Sequence, residues 1–256
     1  MKKFFFSCAL VLAGLFLQAQ NRQIGIGYNL FLPGGEMKKG FKSEHGLDME
    51  MLFSLKKAPF IWLGADLQVG TYGSSSRRQT FTFRDGSSTE TDVNLNSQIG
   101  TIGARARFEK PRTDNSKRLV PYGQIMGGLL SMYSTLYVED PHDEDGCRPL
   151  EKRTTVKDYT WYAGGGAGLM YDISKSKARN RSFIDLSFSC IGGGKQEYAN
   201  MGKVYETNVT NPSEGKPLNI RFVNVSTNEE HEHRVADIYE HPVKLFQVQL
   251  RFVYRW

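Results

Sequence analysis

From residue 23 onward the chain repeatedly alternates apolar and polar residues. A two-residue period restricts such a chain to strands with two chemically different faces. Eight segments follow it: 23–32, 44–55, 60–72, one ending at 102–108, 120–137, 159–172, 182–192 and 243–256. Each is about as long as the ~9–11 residues that carry a tilted strand across a bilayer. The apolar series include Ile24, Ile26, Tyr28, Leu30 and Leu32, then Leu47, Met49, Met51 and Phe53, and finally Phe246, Val248, Leu250, Phe252, Tyr254 and Trp256. In 120–137 the facing is ambiguous around Gly127 and Gly128.

The gaps between segments alternate in length. They are long at 33–43, 73–92, 138–158 and 193–242, and shorter at 56–59, 109–119 and 173–181. An even number of strands with all long connections at one end is the pattern of a transmembrane barrel, with loops outside and turns in the periplasm.

The polar faces decide between that barrel and a soluble ligand carrier, whose apolar face points inward. They hold Asp48, Glu50, Asp66 and Asp185 against Arg105, Arg107, Arg251 and Arg255, with Gln68, Gln247 and Gln249 among them. Eight strands enclose a space that side chains fill, and paired acids and bases can occupy it at far lower cost than lone charges. Gly25, Gly27, Gly64, Gly70, Gly164, Gly166 and Gly168 are read as making room for the arginines. The expected fold is therefore an eight-stranded antiparallel transmembrane β-barrel with a filled polar interior, which leaves no diffusion pore.

Residues 1–19 read as a signal peptide: Lys2 and Lys3, an apolar stretch over 4–17, then Leu17-Gln18-Ala19 before the cut. Cys8 follows too short an apolar stretch to serve as a lipid anchor. Residues 20–256 are read as one barrel domain. Beyond the leader no apolar run reaches the roughly 18 residues of a spanning helix. Loss of Lys2 and Lys3 takes the formal charge from +6 to +4. That excess forms no basic stripe with interleaved aromatics, so nucleic acid is not an expected partner. Cys147 and Cys190 either pair or stay as two small residues.

The closing stretch 246–256, an alternating strand ending on an aromatic, resembles the C-terminal assembly signal of outer-membrane proteins, with Trp256 in place of the usual Phe. With the leader and eight strands, the chain is similar to small OmpA/OmpX-like barrels, notably the outer-membrane β-barrel domain family common in Bacteroidota. The resemblance implies integral location in the outer membrane and contact with its lipids, lipopolysaccharide and assembly machinery. Members of that family mostly lack an assigned function, and a few serve in secretion.

Candidate chemistry is sparse. His231 and His233, two apart, share a face if extended, and His241 follows, but the spacing fits no HExxH motif. The run 140–146 resembles half an EF-hand, yet Pro141 and Lys152 stand where its first and last ligands belong. The glycine runs 164–168 and 192–194 lack the strand–loop–helix context of phosphate loops. Ser43, His45 and Glu240 could form a rim set if His45 and His241 approach each other. The three shorter gaps carry Lys56, Lys57, Lys110, Arg112, Lys117, Arg118, Lys175, Lys177, Arg179 and Arg181 against Glu109 and Asp114, a rim suited to anionic lipid or an acidic partner.

No catalytic, cofactor-binding or metal-ligating residue is assigned from this, and no cofactor. The expected function is a non-enzymatic barrel acting through its extracellular loops or periplasmic rim, in adhesion, envelope structure or secretion, with an unidentified protein partner. The alternative is a rim enzyme that modifies lipid A or cleaves peptides.

Overall fold

A computed structural model describes residues 19–41, 43–82, 86–110, 118–139, 149–174, 180–201, 215–223 and 230–256. Of the signal peptide expected over 1–19, residues 1–18 lie outside the described residues. Among the described residues nine strands form: β1 (Ala19–Pro33), β2 (Glu44–Leu55), β3 (Ala58–Thr82), β4 (Ser88–Glu109), β5 (Leu119–Glu139), β6 (Pro149–Asp172), β7 (Arg181–Ala199), β8 (Lys216–Val223) and β9 (Glu230–Arg255). Eight of them close in the order β1-β2-β3-β4-β5-β6-β7-β9 and back to β1, every pair antiparallel. β8 stands outside the ring and pairs with the upper part of β9 alone, from Lys216↔Ile238 to Val223↔Glu230.

Strand parity then sets the two faces. Leu47 (63% exposed), Ile102, Ile125, Trp161, Leu186 and Leu250 point outward. On β9 the outward series runs from Phe246 to Trp256, ten steps that at ~3.3 Å each and ~40° tilt span about 25 Å, the height of a lipid-facing band. Aromatics mark its two edges, with Phe60, Phe108, Tyr171 and Trp256 below and Tyr133, Tyr159 and Trp161 above. Such a surface cannot face water, whereas a closed ladder satisfies every backbone group in hydrocarbon. The chain is an integral outer-membrane β-barrel.

The facing of β5 was unreadable because both its faces are apolar above Gly123. Ile125, Leu129 and Tyr133 meet lipid, while Met126, Leu130 and Met132 are buried inside. They belong to an apolar layer that fills the upper mouth, with Phe31, Tyr162 and Tyr198. The short 3-10 helix Gly35–Lys39 lowers Met37 into that layer, and Phe41 follows it.

The long connections differ from the expectation of open loops. β3 and β4 stay paired out to Thr82↔Ser88, and β5 and β6 out to Glu139↔Pro149. Polar residues in register stitch the β3–β4 arm: Ser74 with Asn96 (2.6 Å), Arg78 with Asp92 (3.2 Å) and Thr80 with Glu90 (3.2 Å). Inside the arms Val93, Leu95, Leu136, Val138, Val156, Ala199, Leu218 and Ala236 form a second core above the lipid band. The surface end is thus a folded head.

Most inward glycines do not make room for arginine. A Cβ at Gly64 would overlap the Met51 carbonyl oxygen, one at Gly164 would approach the Cys190 carbonyl at 2.5 Å, and one at Gly168 would strike the Tyr122 ring. Gly27, which faces Arg251 Cγ at 2.5 Å, is the exception, and even there Leu250 backbone lies as close. These positions let neighbouring strands approach and coil.

Candidate functional site

The barrel interior is built around Glu50 on β2. Its carboxylate accepts from Arg107 Nη2 (2.7 Å), Arg251 Nη1 (2.6 Å), Arg105 Nη1 (3.0 Å) and Gln23 Nε2 (2.9 Å). Arg251 also reaches Asp185 at 2.7 Å and Asp48 at 3.5 Å. Arg105 reaches Asp66 at 3.5 Å, and Tyr122 donates to Asp185 at 2.8 Å. The four acids and three arginines of this layer have side chains with 0% exposure. Above them Gln247 donates to Asn29 (2.9 Å) and Gln68 (2.7 Å).

Arg255 is not in that layer. It sits nearer the periplasmic end, paired with Glu109 at 2.6 Å and stacked over Trp62 at 4.0 Å. Parity places a side chain on a face but not at a height, so the balanced set of eight becomes four acids against three bases, with Arg255–Glu109 a separate pair. Asp48 Oδ1 and Asp66 Oδ1 are buried without a donor among the described residues. With the ionic layer below and the apolar layer above, the lumen is filled. It anchors and rigidifies the fold, so any chemistry belongs to the outside.

At the outer rim Ser43 Oγ lies 3.2 Å from His45 Nε2. His45 Nδ1 is hydrogen-bonded to the Tyr28 hydroxyl on β1. Ser43 and His45 lie at the upper edge of the outward face, and Tyr28, the register partner of exposed Leu47, reaches His45 from below. Glu240 is not the third member: it stands higher on β9 and pairs with Lys195 at 4.0 Å. Nor do the two histidines approach. His241 is turned inward over the mouth, where its Nδ1 lies 2.8 Å from the Tyr198 hydroxyl. Tyr28 was missed because its meeting with His45 depends on strand register, which periodicity does not specify.

His231 and His233 lie on β9 opposite Phe222 and Ile220, and their side chains are outside the described set. His241 is eight residues further along, about 26 Å at strand rise, too far to complete a ligand set with them. Among the described residues no three metal-ligating side chains gather. The acidic run 140–146 and Cys147 lie outside the described residues, and Cys190 is exposed on the lipid face of β7. Both glycine runs are strand, in β6 and β7. Of the basic rim, Lys56, Lys57, Lys110 and Arg118 are exposed and Arg181 pairs with Asp172 at 2.8 Å. Arg112, Lys117, Lys175, Lys177 and Arg179 lie outside the described residues.

No protein-family model and no curated protein matches the chain. Among solved structures it is similar to Ail, the attachment invasion locus protein of Yersinia pestis, in complex with the heparin analogue sucrose octasulfate, at 13% identity and TM-score 0.38, over 92% of this chain and 98% of that one. Neisserial surface protein A aligns at 10% identity and TM-score 0.39, over 92% and 94%. The outer membrane protease OmpT of Escherichia coli aligns at 9% and 0.40, over 92% and 96%. At such values neither attachment nor proteolysis transfers to this chain.

Proposed function

We propose that the protein is a non-enzymatic surface barrel that binds an extracellular partner through its head. One observation carries this reading: the arms of β3–β6 and β7–β9 share a core of their own, clear of the lipid band, above a lumen that is filled. A chain that only anchored the envelope would gain nothing from ordering these arms, since each fixed residue costs about 1–2 kcal/mol of backbone entropy.

The test shortens one arm. Gly73 and Ser97 are register partners, so replacing 74–96 by Asn-Gly leaves a two-residue hairpin at that point. The trimmed barrel and the full barrel are both expected to run faster unboiled than boiled on SDS gels. Surface crosslinks on intact cells are expected to disappear. A trimmed barrel that keeps every crosslink removes the head as the binding element.

A second reading rests on the Ser43–His45–Tyr28 cluster. With the Nδ1 proton donated to Tyr28 Oη, His45 Nε2 is free to accept the Ser43 proton, the relation of base to nucleophile. Its outward position at the edge of the band would offer it ester bonds of lipid A. On this reading, lipid A mass spectra from wild-type cells carry a species absent from Ser43→Ala cells. Identical spectra dismiss it.

A further inference from the structure

The lipid-facing wall is interrupted between β7 and β9. The two strands pair residue for residue from Arg181↔Arg255 to Gly192↔Lys244, and the register then jumps to Lys195↔Pro242. Gly193 and Gly194 form the bulge, and Pro242 opposite has no N–H to give. Three consecutive glycines leave the wall without side chains there. The interruption opens an outward groove of about 520 Å³. Its floor is Gly192 and Gly193, its lower end Cys190 and Phe246, and Lys244, the register partner of Gly192, flanks the floor beside Gly35 and Glu36.

The level of the groove is fixed by its neighbours. Phe246 ends the outward apolar series of β9, Trp161 (61% exposed) belongs to the upper aromatic edge of the lipid band, and Lys244, two residues beyond Phe246, and Lys195 carry the first charges there on adjacent strands. The groove therefore spans the boundary between hydrocarbon and headgroups in the outer leaflet. The Lys244 stem runs along the loop backbone: a Cβ at Gly34 would lie 3.0 Å from its Cγ and one at Gly35 would lie 3.5 Å from its Cδ. Glu36 is occupied by Lys39 at 2.6 Å and does not cancel that charge.

We infer that this groove is a binding site for a phosphorylated glycolipid of the outer leaflet, lipid A, with one acyl chain over Gly192 and Gly193 and a phosphate on Lys244. The apolar floor fits a chain, the cation at the headgroup level fits a phosphate, and the surrounding solvent is that lipid. The inference is independent of what the head binds.

Two substitutions separate the two contacts. A Cβ at Gly192 would meet nothing nearer than the Val243 carbonyl at 3.8 Å, so Gly192→Leu fills the groove without touching the ladder. Lys244→Gln removes the charge. Native mass spectrometry of the purified barrel in detergent reads retention of lipid A, dephosphorylated lipid A and phosphatidylglycerol. The wild type is expected to retain one lipid A, and each variant roughly fivefold less. Dephosphorylated lipid A is expected to bind the wild type no better than lipid A binds Lys244→Gln. Equal retention by wild type and Lys244→Gln overturns the inference, whether or not Gly192→Leu folds. Phosphatidylglycerol held as tightly as lipid A overturns the assignment to a glycolipid.

Discussion

Arg251→Met is expected to destabilise the barrel more than Glu50→Gln, although each residue makes three ionic contacts. Glu50 serves Arg105, Arg107 and Arg251, and Arg251 serves Glu50, Asp185 and Asp48. What differs is the company each leaves. Without the Glu50 charge, Asp48, Asp66 and Asp185 face three arginines, and every arginine keeps a carboxylate: Asp66 at 3.5 Å for Arg105, Asp185 at 3.7 Å for Arg107 and at 2.7 Å for Arg251. Without Arg251, four acids face two arginines, and Asp48 loses its ionic partner. Removing one member of a buried pair costs about 3–5 kcal/mol, and Arg251→Met belongs at the upper end. Glu50→Gln keeps the shape and loses charge-assisted bonds, roughly 1–3 kcal/mol. Against total stabilities of about 5–15 kcal/mol the difference is measurable as separated urea midpoints in micelles. A Glu50→Gln midpoint as low as that of Arg251→Met shows that contact number, not charge balance, governs the interior.

That layer was legible in the sequence because a strand in a membrane barrel must sort its residues by parity. Asp48, Glu50, Asp66, Asp185, Arg105, Arg107 and Arg251 all sit on the face that alternation assigns them. Height was not legible, since the two-residue period is the same all along a strand, and Arg255 accordingly fell one layer below its expected partners. The arms were not legible either. Above the lipid neither face is obliged to be apolar, so Ser74, Arg78 and Thr80 read as loop although they pair across a strand. One faint signal was present: Thr91, Val93 and Leu95 alternate with Asp92 and Asn94 across the end of the second long gap. The rim cluster was half legible. Ser43 and His45 are local neighbours and could be paired by inspection, but Tyr28 required the register of β1 against β2.

Gly64→Ala is expected to abolish the folded barrel, whereas Gly123→Ala leaves it intact. A Cβ at Gly64 would overlap the carbonyl oxygen of Met51 and lie 2.8 Å from its carbon and 2.9 Å from Leu52 Cα. All three are backbone atoms of β2, so no rotamer change relieves the contact. β2 and β3 would have to separate at mid-bilayer, where unpaired N–H and C=O groups find no water and cost several kcal/mol each. At Gly123 the nearest atom to a Cβ is the Gly166 carbonyl oxygen at 3.9 Å, an ordinary contact. There the loss of unfolded-state freedom adds about 0.4–1 kcal/mol of stability. The fraction of fast-migrating unboiled protein after refolding reads both. Arg105→Met in the Gly64→Ala background tells the two roles of the glycine apart: if Gly64 only made room for Arg105, its register partner on β4, the double variant would fold. Close approach of the β2 backbone predicts that it does not, because trimming a side chain moves no carbonyl.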